Sequence, residues 1–346
     1  MVTAGHAAAV LRAAGLGARR VAGVTRLGGG SKKGVYRLSC TDGFSAILYV
    51  WAAAEDYWPS DPDPDPDADA GVFAHASGLG LFKGSARRLS AAGVRVPRVY
   101  LADGSQAVYP ADIALVEDLR GGTLEELLEA DHEAAGPVME RLGDMLAGMR
   151  RVRSARVGKA GTGAGQAGAP DERRSEQIVL DRALRQLARA AQRVPRLAVA
   201  RPRLEETLRA LTAVISPRPE YTLIHGELGP DHVLIDEQRN PVLIDIEGAM
   251  YFDAEWEHAF LRLRFGQAYR WLRAGGLDKP RMRLYALALD LSLIDGPLRL
   301  LDGDYPDRDE MLAIAAHAVD RALAAAQHLS GSSGGSSGAT PGAAGG

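Results

Sequence analysis

The chain has 346 residues, 46% hydrophobic and 25% charged, a balance typical of globular proteins with about two domains or lobes and not of disordered or fibrous chains. Its 41 basic and 44 acidic residues leave a net charge of -3, so nothing favours binding to nucleic acid or anionic lipid, and no apolar run approaches the ~20 residues of a membrane-spanning helix. Cys40 is the one cysteine, which excludes an intramolecular disulfide or a thiolate metal cluster and agrees with a reducing, cytoplasmic compartment.

Residues 1–27 carry Ala-rich helical stretches broken by Arg12, Arg19 and Arg20, without the apolar centre of a signal peptide. Residues 21–27, 35–41 and 44–51 are rich in β-branched, aromatic and aliphatic side chains. Asp42-Gly43 between the last two marks a hairpin, so three antiparallel strands are predicted. Between the first two strands lies Gly28-Gly29-Gly30-Ser31-Lys32-Lys33-Gly34, where glycines let backbone N–H groups approach phosphates and the lysines add charge. A merely flexible turn is the plain alternative. Residues 60–70 alternate Asp with Pro and Ala and read as an extended acidic loop. A helix is predicted over 72–92, strands over 98–101 and 113–116, and a hinge over 117–122, which contains Glu117, Asp118, Leu119 and a Gly-Gly turn.

After the hinge the periodicity becomes helical. Thr123, with Glu126 three residues on and Leu127 and Leu128 behind it, forms a capping-box signature that starts a helix near Leu124. Further helices are predicted over 138–153, 176–194, 203–215 and 254–272, the last with Trp256, Phe260 and Leu263 at helical spacing as core residues. Residues 158–170 read as a flexible connection and 330–346 as a disordered tail. Short strands at 221–224, 232–236 and 242–246 interrupt the helices, the last two joined by a polar turn at 237–240.

The densest group of chemically capable residues is His225-Gly226-Glu227-Leu228-Gly229-Pro230-Asp231-His232, followed by Asp245-Ile246-Glu247. Short apolar strands deliver these polar side chains to their ends, where a loop can hold them against a ligand. Four carboxylates, from Glu227, Asp231, Asp245 and Glu247, can share one cleft only if a cation neutralises them, and oxygen ligands favour Mg²⁺ over Zn²⁺. His225 and His232 are read as residues bracing the loop, with metal ligation a second reading for His232.

This double motif resembles the aminoglycoside phosphotransferase and choline kinase group, whose pattern is His-Gly-Asp, four residues, Asn, and then an apolar strand ending in Asp. Here Glu227 stands at the base position, His232 at the Asn position, Asp245 at the metal-binding Asp, and Glu247 at the acidic residue two places on. The resemblance implies an α+β, two-lobed protein-kinase-like fold with a small antiparallel-sheet N-lobe and a larger, mainly helical C-lobe. The expected boundaries are 1–116 for the nucleotide-binding lobe, 117–122 for the hinge, 123–329 for the catalytic and substrate lobe, and 330–346 for the tail. It implies ATP and Mg²⁺, and transfer of the γ-phosphoryl group to a hydroxyl of a small molecule such as an aminoglycoside-like antibiotic, an amino alcohol or a sugar. Residues 28–34 would take the phosphates, the backbone at Glu117 and Leu119 the adenine, His232, Asp245 and Glu247 the metal, and Glu227 the acceptor. It also implies that an acidic residue near Glu257 braces the catalytic loop, where the helix dipole would by itself favour Asp253, Glu255 and Glu257.

One element of the pattern is missing. Such kinases carry a phosphate-gripping Lys on the third strand, paired with a helix Glu. The corresponding position is Tyr49, and the helix predicted over 72–92 has no Glu. The chain has five lysines, of which Lys32, Lys33 and Lys83 precede the hinge. Either a loop lysine substitutes from another direction or nucleotide binding is weakened. The second reading of the chain is accordingly a pseudokinase that binds a small molecule or nucleotide without transferring phosphate.

Overall fold

A computed structural model describes residues 1–28, 30–58, 71–74, 76–162 and 174–331. Gly29, the whole acidic stretch at 60–70, the end of the 158–170 connection and the tail from 332 lie outside the described residues. The chain divides into two compact units: Met1–Ser175 with Pro217–Asp278 and Gly303–Tyr305, and Glu176–Ser216 with Lys279–Asp302 and Pro306–Gly346. Both sides of the 117–122 segment belong to the first unit.

In the first unit, α1 (Ala4–Ala13) precedes a five-stranded antiparallel sheet. Its strands are β1 (Val21–Arg26), β2 (Gly34–Cys40), β3 (Ser45–Trp51), β4 (Val99–Asp103) and β5 (Asp112–Glu117), in the order β1-β2-β3-β5-β4. Gly43 takes φ 83° in the β2–β3 turn, which sets Ser39 opposite Ser45 and Val35 opposite Tyr49. Because side chains alternate faces along a strand, Tyr36, Leu38, Leu48 and Val50 cluster with Val10 and Leu11 of α1. Ile47, Tyr49, Ala114 and Val116 face the other way, onto Phe82, Ala86 and Leu89 of α2 (Leu79–Ala91), in a cluster that continues through the helical residues beyond the hinge. Helix α2 begins at Leu79 and not near residue 72, because Gly78 sits at φ 112° with ψ 154°, outside helical space.

Beyond β5 come α3 (Leu124–Ala130) and α4 (Gly136–Arg151). Both arms of the predicted capping box form: the Glu126 backbone N–H donates to Thr123 Oγ1 at 3.1 Å, and the Thr123 N–H donates to Glu126 Oε2 at 2.8 Å. Just before it, a Cβ on Gly121 would lie 2.2 Å from the Ile235 carbonyl oxygen, so glycine is needed for the chain to pass this close to the later hairpin.

Strand β6 (Arg153–Ser154), β7 (Gly158–Lys159), β8 (Tyr221–Ile224) and β11 (Met250–Phe252) form a second sheet, order β6-β8-β11-β7. The start of the expected flexible connection thus pairs as a strand, with Lys159 opposite Met250. The hairpin β9 (Val233–Ile235) and β10 (Pro241–Leu243) lies between β8 and β11 in the chain. Helix α7 (Ala254–Phe265) is shorter than the predicted 254–272: Gly266 takes φ 50° and the chain continues as 3-10 turns over Gly266–Leu272. No helix among the described residues is long and apolar enough to cross a membrane.

The second unit is built from α5 (Ser175–Arg193), α6 (Pro195–Ala213), α8 (Lys279–Leu300) and α9 (Arg308–Gly331). Helix α6 runs through Pro202 and starts at Pro195, ahead of the predicted residue 203; Pro at the first turn needs no N–H donor. Arg189 grips Asp295 through two hydrogen bonds, of 2.6 and 3.1 Å, within this unit.

Candidate active site

The site lies entirely in the first unit, where the loop between β1 and β2 meets the segments after β8 and β10. The loop is shaped by its own packing. A Cβ on Gly30 would sit 2.5 Å from the Lys33 carbonyl oxygen, so glycine is required there for the loop to fold back on itself, while one on Gly34 would meet the Glu55 carboxyl and the Tyr36 ring. Its outer side is tied down: the Ser31 carbonyl accepts from the Tyr57 N–H at 2.9 Å, Ser31 Oγ accepts from Trp58 Nε1 at 3.1 Å, and Ser77 Oγ donates to the Lys32 carbonyl at 3.1 Å.

This geometry sends Lys33 inward. It is buried, and its Nζ donates to Asp245 Oδ1 and to Glu247 Oε1, both at 2.7 Å. The ammonium also stands 5.2 Å from the ring centre of Tyr49, the strand residue at the position where a lysine was expected. Tyr49 itself packs edge-on against Phe82 of α2, with ring centres 5.6 Å apart, so an aromatic contact joins strand to helix where an ion pair was expected. Burial pushes the Tyr49 hydroxyl up to about 12, which keeps it neutral. Lys33, more than any other neighbour, holds the Asp245 carboxyl far below the usual carboxylate range.

Asp245 follows β10 in the left-handed conformation, φ 55° and ψ 43°, and opens a 3-10 turn over Ile246–Gly248 that carries the buried Glu247 beside it. On the other strand end, His225 is fully buried and its Nε2–H donates to the Ile244 carbonyl at 2.9 Å, linking the residue after β8 to the one before Asp245. Burial, with some repulsion from His232, brings the His225 imidazole down to about 4, so it is neutral at physiological pH. His232 donates from Nδ1 to the Glu227 carbonyl at 2.9 Å, and its Nε2 stands 3.6 and 3.9 Å from carboxylate oxygens of Asp231 and Asp245.

The 225–232 loop is braced from α7. Glu257 Oε2 accepts the Gly226 N–H at 2.8 Å, and Trp256 Nε1 donates to the Gly226 carbonyl at 3.1 Å. Gly226 itself takes φ 96°. Glu257 is buried, and desolvation raises its carboxyl to about 7. Trp256, read from the sequence as core only, therefore also fixes the loop. Arg264 holds Asp231 at 2.8 Å, a long-range pair that no local pattern announces. Glu227 is exposed, and its carboxyl is lowered chiefly by Lys32, with Lys159 and His232 adding to the effect.

Lys33 thus joins Asp245 to Glu247, and His232 Nε2 stands 3.9 Å from Asp245. The carboxylate oxygens are of a chemistry that suits a hard divalent ion, an imidazole nitrogen less so. The two carboxylates nevertheless already share a cation, and among the described residues no group of three or more His, Cys, Asp or Glu side chains is gathered as a metal-holding cluster. At the hinge, Glu117 is held by Arg95 at 2.7 and 2.8 Å and accepts the Arg98 N–H, while the Asp118 side chain is buried between Arg37 and Arg120. Leu119 follows, half-buried.

The family model described as "Phosphotransferase enzyme family" (APH) matches residues 74–285. No curated protein matches the chain in sequence. Among solved structures, a thermostable mutant of aminoglycoside phosphotransferase APH(4)-Ia in its apo form is similar at 17% identity and a TM-score of 0.62, over 93% of this chain and 99% of that one. Spectinomycin phosphotransferase APH(9)-Ia, in complex with ADP and spectinomycin, is similar at 14% identity and a TM-score of 0.59, over 94% and 99%. Choline kinase LicA from Streptococcus pneumoniae is similar at 13% identity and 0.56, over 89% and 94%. At these identities the likeness is one of fold, the protein-kinase-like arrangement of an antiparallel sheet followed by a mainly helical region. With that fold and the matched residues spanning the 225–247 motif, the chain belongs to the APH phosphotransferase enzyme family.

Proposed function

We propose that the protein transfers the γ-phosphoryl group of ATP to a hydroxyl of a small molecule. The observation that carries this reading is the meeting of the glycine loop with the second acidic motif, recorded by the 2.7 Å hydrogen bonds from Lys33 to Asp245 and Glu247. A loop suited to phosphates and a carboxylate pair suited to a cation are what phosphoryl transfer requires side by side, because its rate gain comes from positioning and charge stabilisation.

In this reading the backbone amides of residues 28–34 bind the phosphates, and the backbone at Glu117 and Leu119 receives the adenine between the lobe of residues 1–116 and that of 123–329. Asp245 and Glu247, with His232 at their side, are the residues that would hold Mg²⁺, which when bound neutralises charge on the transferring group. His225 and Glu257 keep the two strand ends in register. Glu227 orients the acceptor hydroxyl by accepting its hydrogen bond. Since Lys32 keeps that carboxylate ionised, it is a weak base, and its contribution lies in aim more than in proton removal. The acceptor class is an aminoglycoside-like antibiotic, an amino alcohol or a sugar.

The test is ADP release over a panel of such hydroxyl compounds, with Glu227→Gln alongside. We expect the variant to lose roughly 10²–10⁴-fold in turnover, the range for a positioned acid–base group, while the ATP-induced rise in Tm stays as in the parent. Unchanged turnover would remove Glu227 from the mechanism. A second reading, a catalytically weakened pseudokinase that binds a small molecule or nucleotide, is favoured by Tyr49 in the lysine position and by the lysine-filled acidic pair. Stabilisation by ATP and Mg²⁺ without ADP release from any compound would select it.

A further inference from the structure

Lys33 is held in an arrangement that a divalent ion would have to undo. Its ammonium bonds one oxygen of Asp245 and one of Glu247, both at 2.7 Å, with the Lys33 side chain 10% exposed, that of Glu247 5% and that of Asp245 46%. Mg²⁺ binds carboxylate oxygens at about 2.0–2.1 Å and demands near-octahedral surroundings. An ion shared by the same two oxygens would lie in the space the ammonium takes, and two cations this close beside the buried Glu247 repel. One must leave.

The backbone around Lys33 is the fixed part of this device. Gly30 is packed on the Lys33 carbonyl, and Ser31 and Lys32 are tied to residues 57, 58 and 77. The ammonium stands at the end of four methylenes, over the Tyr49 ring, and can be redirected by side-chain rotation alone. The same loop is where phosphates would lie, so a polyphosphate offers the anion that draws it off.

We propose that Lys33 is a tethered cation that fills the divalent-ion position of the Asp245–Glu247 pair in the nucleotide-free protein, so that the pair takes up a divalent ion only when a nucleoside triphosphate's polyphosphate has drawn the lysine away. The proposal rests on the phosphotransferase reading of this site. It makes metal binding conditional: metal alone is refused, and metal with nucleotide is accepted.

The experiment is Mn²⁺ binding to the intact protein without nucleotide, followed by electron paramagnetic resonance, for the parent, Lys33→Met and Lys33→Met/Asp245→Asn. The parent is expected to bind Mn²⁺ weakly. Lys33→Met should bind it on the order of tenfold more tightly or better, as expected on removing one like charge from a partly screened site, and the double variant should lose that gain. Should Lys33→Met not fold, Lys33→Gln is measured in its place. A parent protein that already binds Mn²⁺ at Asp245 as tightly as the Lys33 variant does would overturn the proposal, as would a Lys33 variant that gains nothing. The ATP-induced Tm shift of the parent is read separately: if it is present while the Mn²⁺ result is negative, only the tethered-cation idea falls; if it is absent, the phosphotransferase reading falls with it.

Discussion

The glycine loop and the 225–247 segment are held in opposite ways. In the latter, polar groups are pinned by the backbone: His225 on the Ile244 carbonyl, His232 on the Glu227 carbonyl, and the Gly226 N–H on Glu257. In the loop it is the backbone that is clamped, and the one buried charged side chain, Lys33, reaches across to its partners. In the proposed phosphotransferase reading, the site keeps its charge pattern while changing which residue supplies a charge. Carboxylates at the ends of rigid strands stay where the strands put them. A cation on a long side chain can come from a loop as well as from a strand, provided its usual seat is refilled, here by Tyr49 against Phe82.

The strongest way to break that comparison is at the rigid end. Asp245→Asn retains a residue that tolerates the left-handed backbone at φ 55° but removes the charge, and should lower ADP release by about 10³-fold or more, in line with the loss of a preorganised electrostatic group. Activity within tenfold of the parent would show that the carboxylate is not fixed there for chemistry.

The brace behind the loop gives a pH signature. Glu257 is raised from 4.5 to about 7 in the folded protein, so between these values the native state holds a proton that the unfolded chain has lost, and stability falls as pH rises. This component is worth roughly 1–3 kcal/mol across the window. His225 and His258, both brought to about 4 by burial, act in the opposite sense, adding stability as pH rises from about 4 to 6.5. Glu257→Gln removes one component only, so its Tm relative to the parent should climb from pH 5 to pH 8; a constant difference would mean that the carboxyl does not titrate in that range.

The smallest effect is expected in the loop itself. Gly30→Ala forces a Cβ to within 2.5 Å of the Lys33 carbonyl oxygen, and the turn must open to relieve it, at about 1–2 kcal/mol of stability by chemical denaturation. The variant should lose ATP-induced stabilisation out of proportion to that cost, since the displaced residue carries the cation. A loss of stability with nucleotide binding intact would show that the loop's clamped backbone is not what aims Lys33.

Much of this was legible in the sequence for local reasons. Alternating burial along residues 34–40, the Asp42-Gly43 turn and the Thr123–Glu126 capping box are short-range codes, and each element stands where its code puts it. The segments carrying Glu227 and Asp245 follow strands of two different sheets and are linked by the His225–Ile244 hydrogen bond. What was not legible depends on distance in the chain. The Lys33–Asp245 contact joins residues 212 positions apart, and its only advance sign was a scarcity of lysines beside a strand that lacked one. The ends of the helices at 72–92 and 254–272 were misplaced because Gly78 and Gly266 read as ordinary small residues until their positive φ values are seen. Strand β7 lay hidden in a Gly- and Ala-rich stretch, since its partner β11, far along the chain, gives it structure that its composition does not.

Two of the four tryptophans donate their indole N–H to the loops that form the site, Trp58 to Ser31 Oγ and Trp256 to the Gly226 carbonyl. The protein therefore carries its own optical probes on both walls of the cleft. A ligand that rearranges either loop changes the polarity felt by one indole, and with it the emission colour, so occupancy can be followed without any added dye.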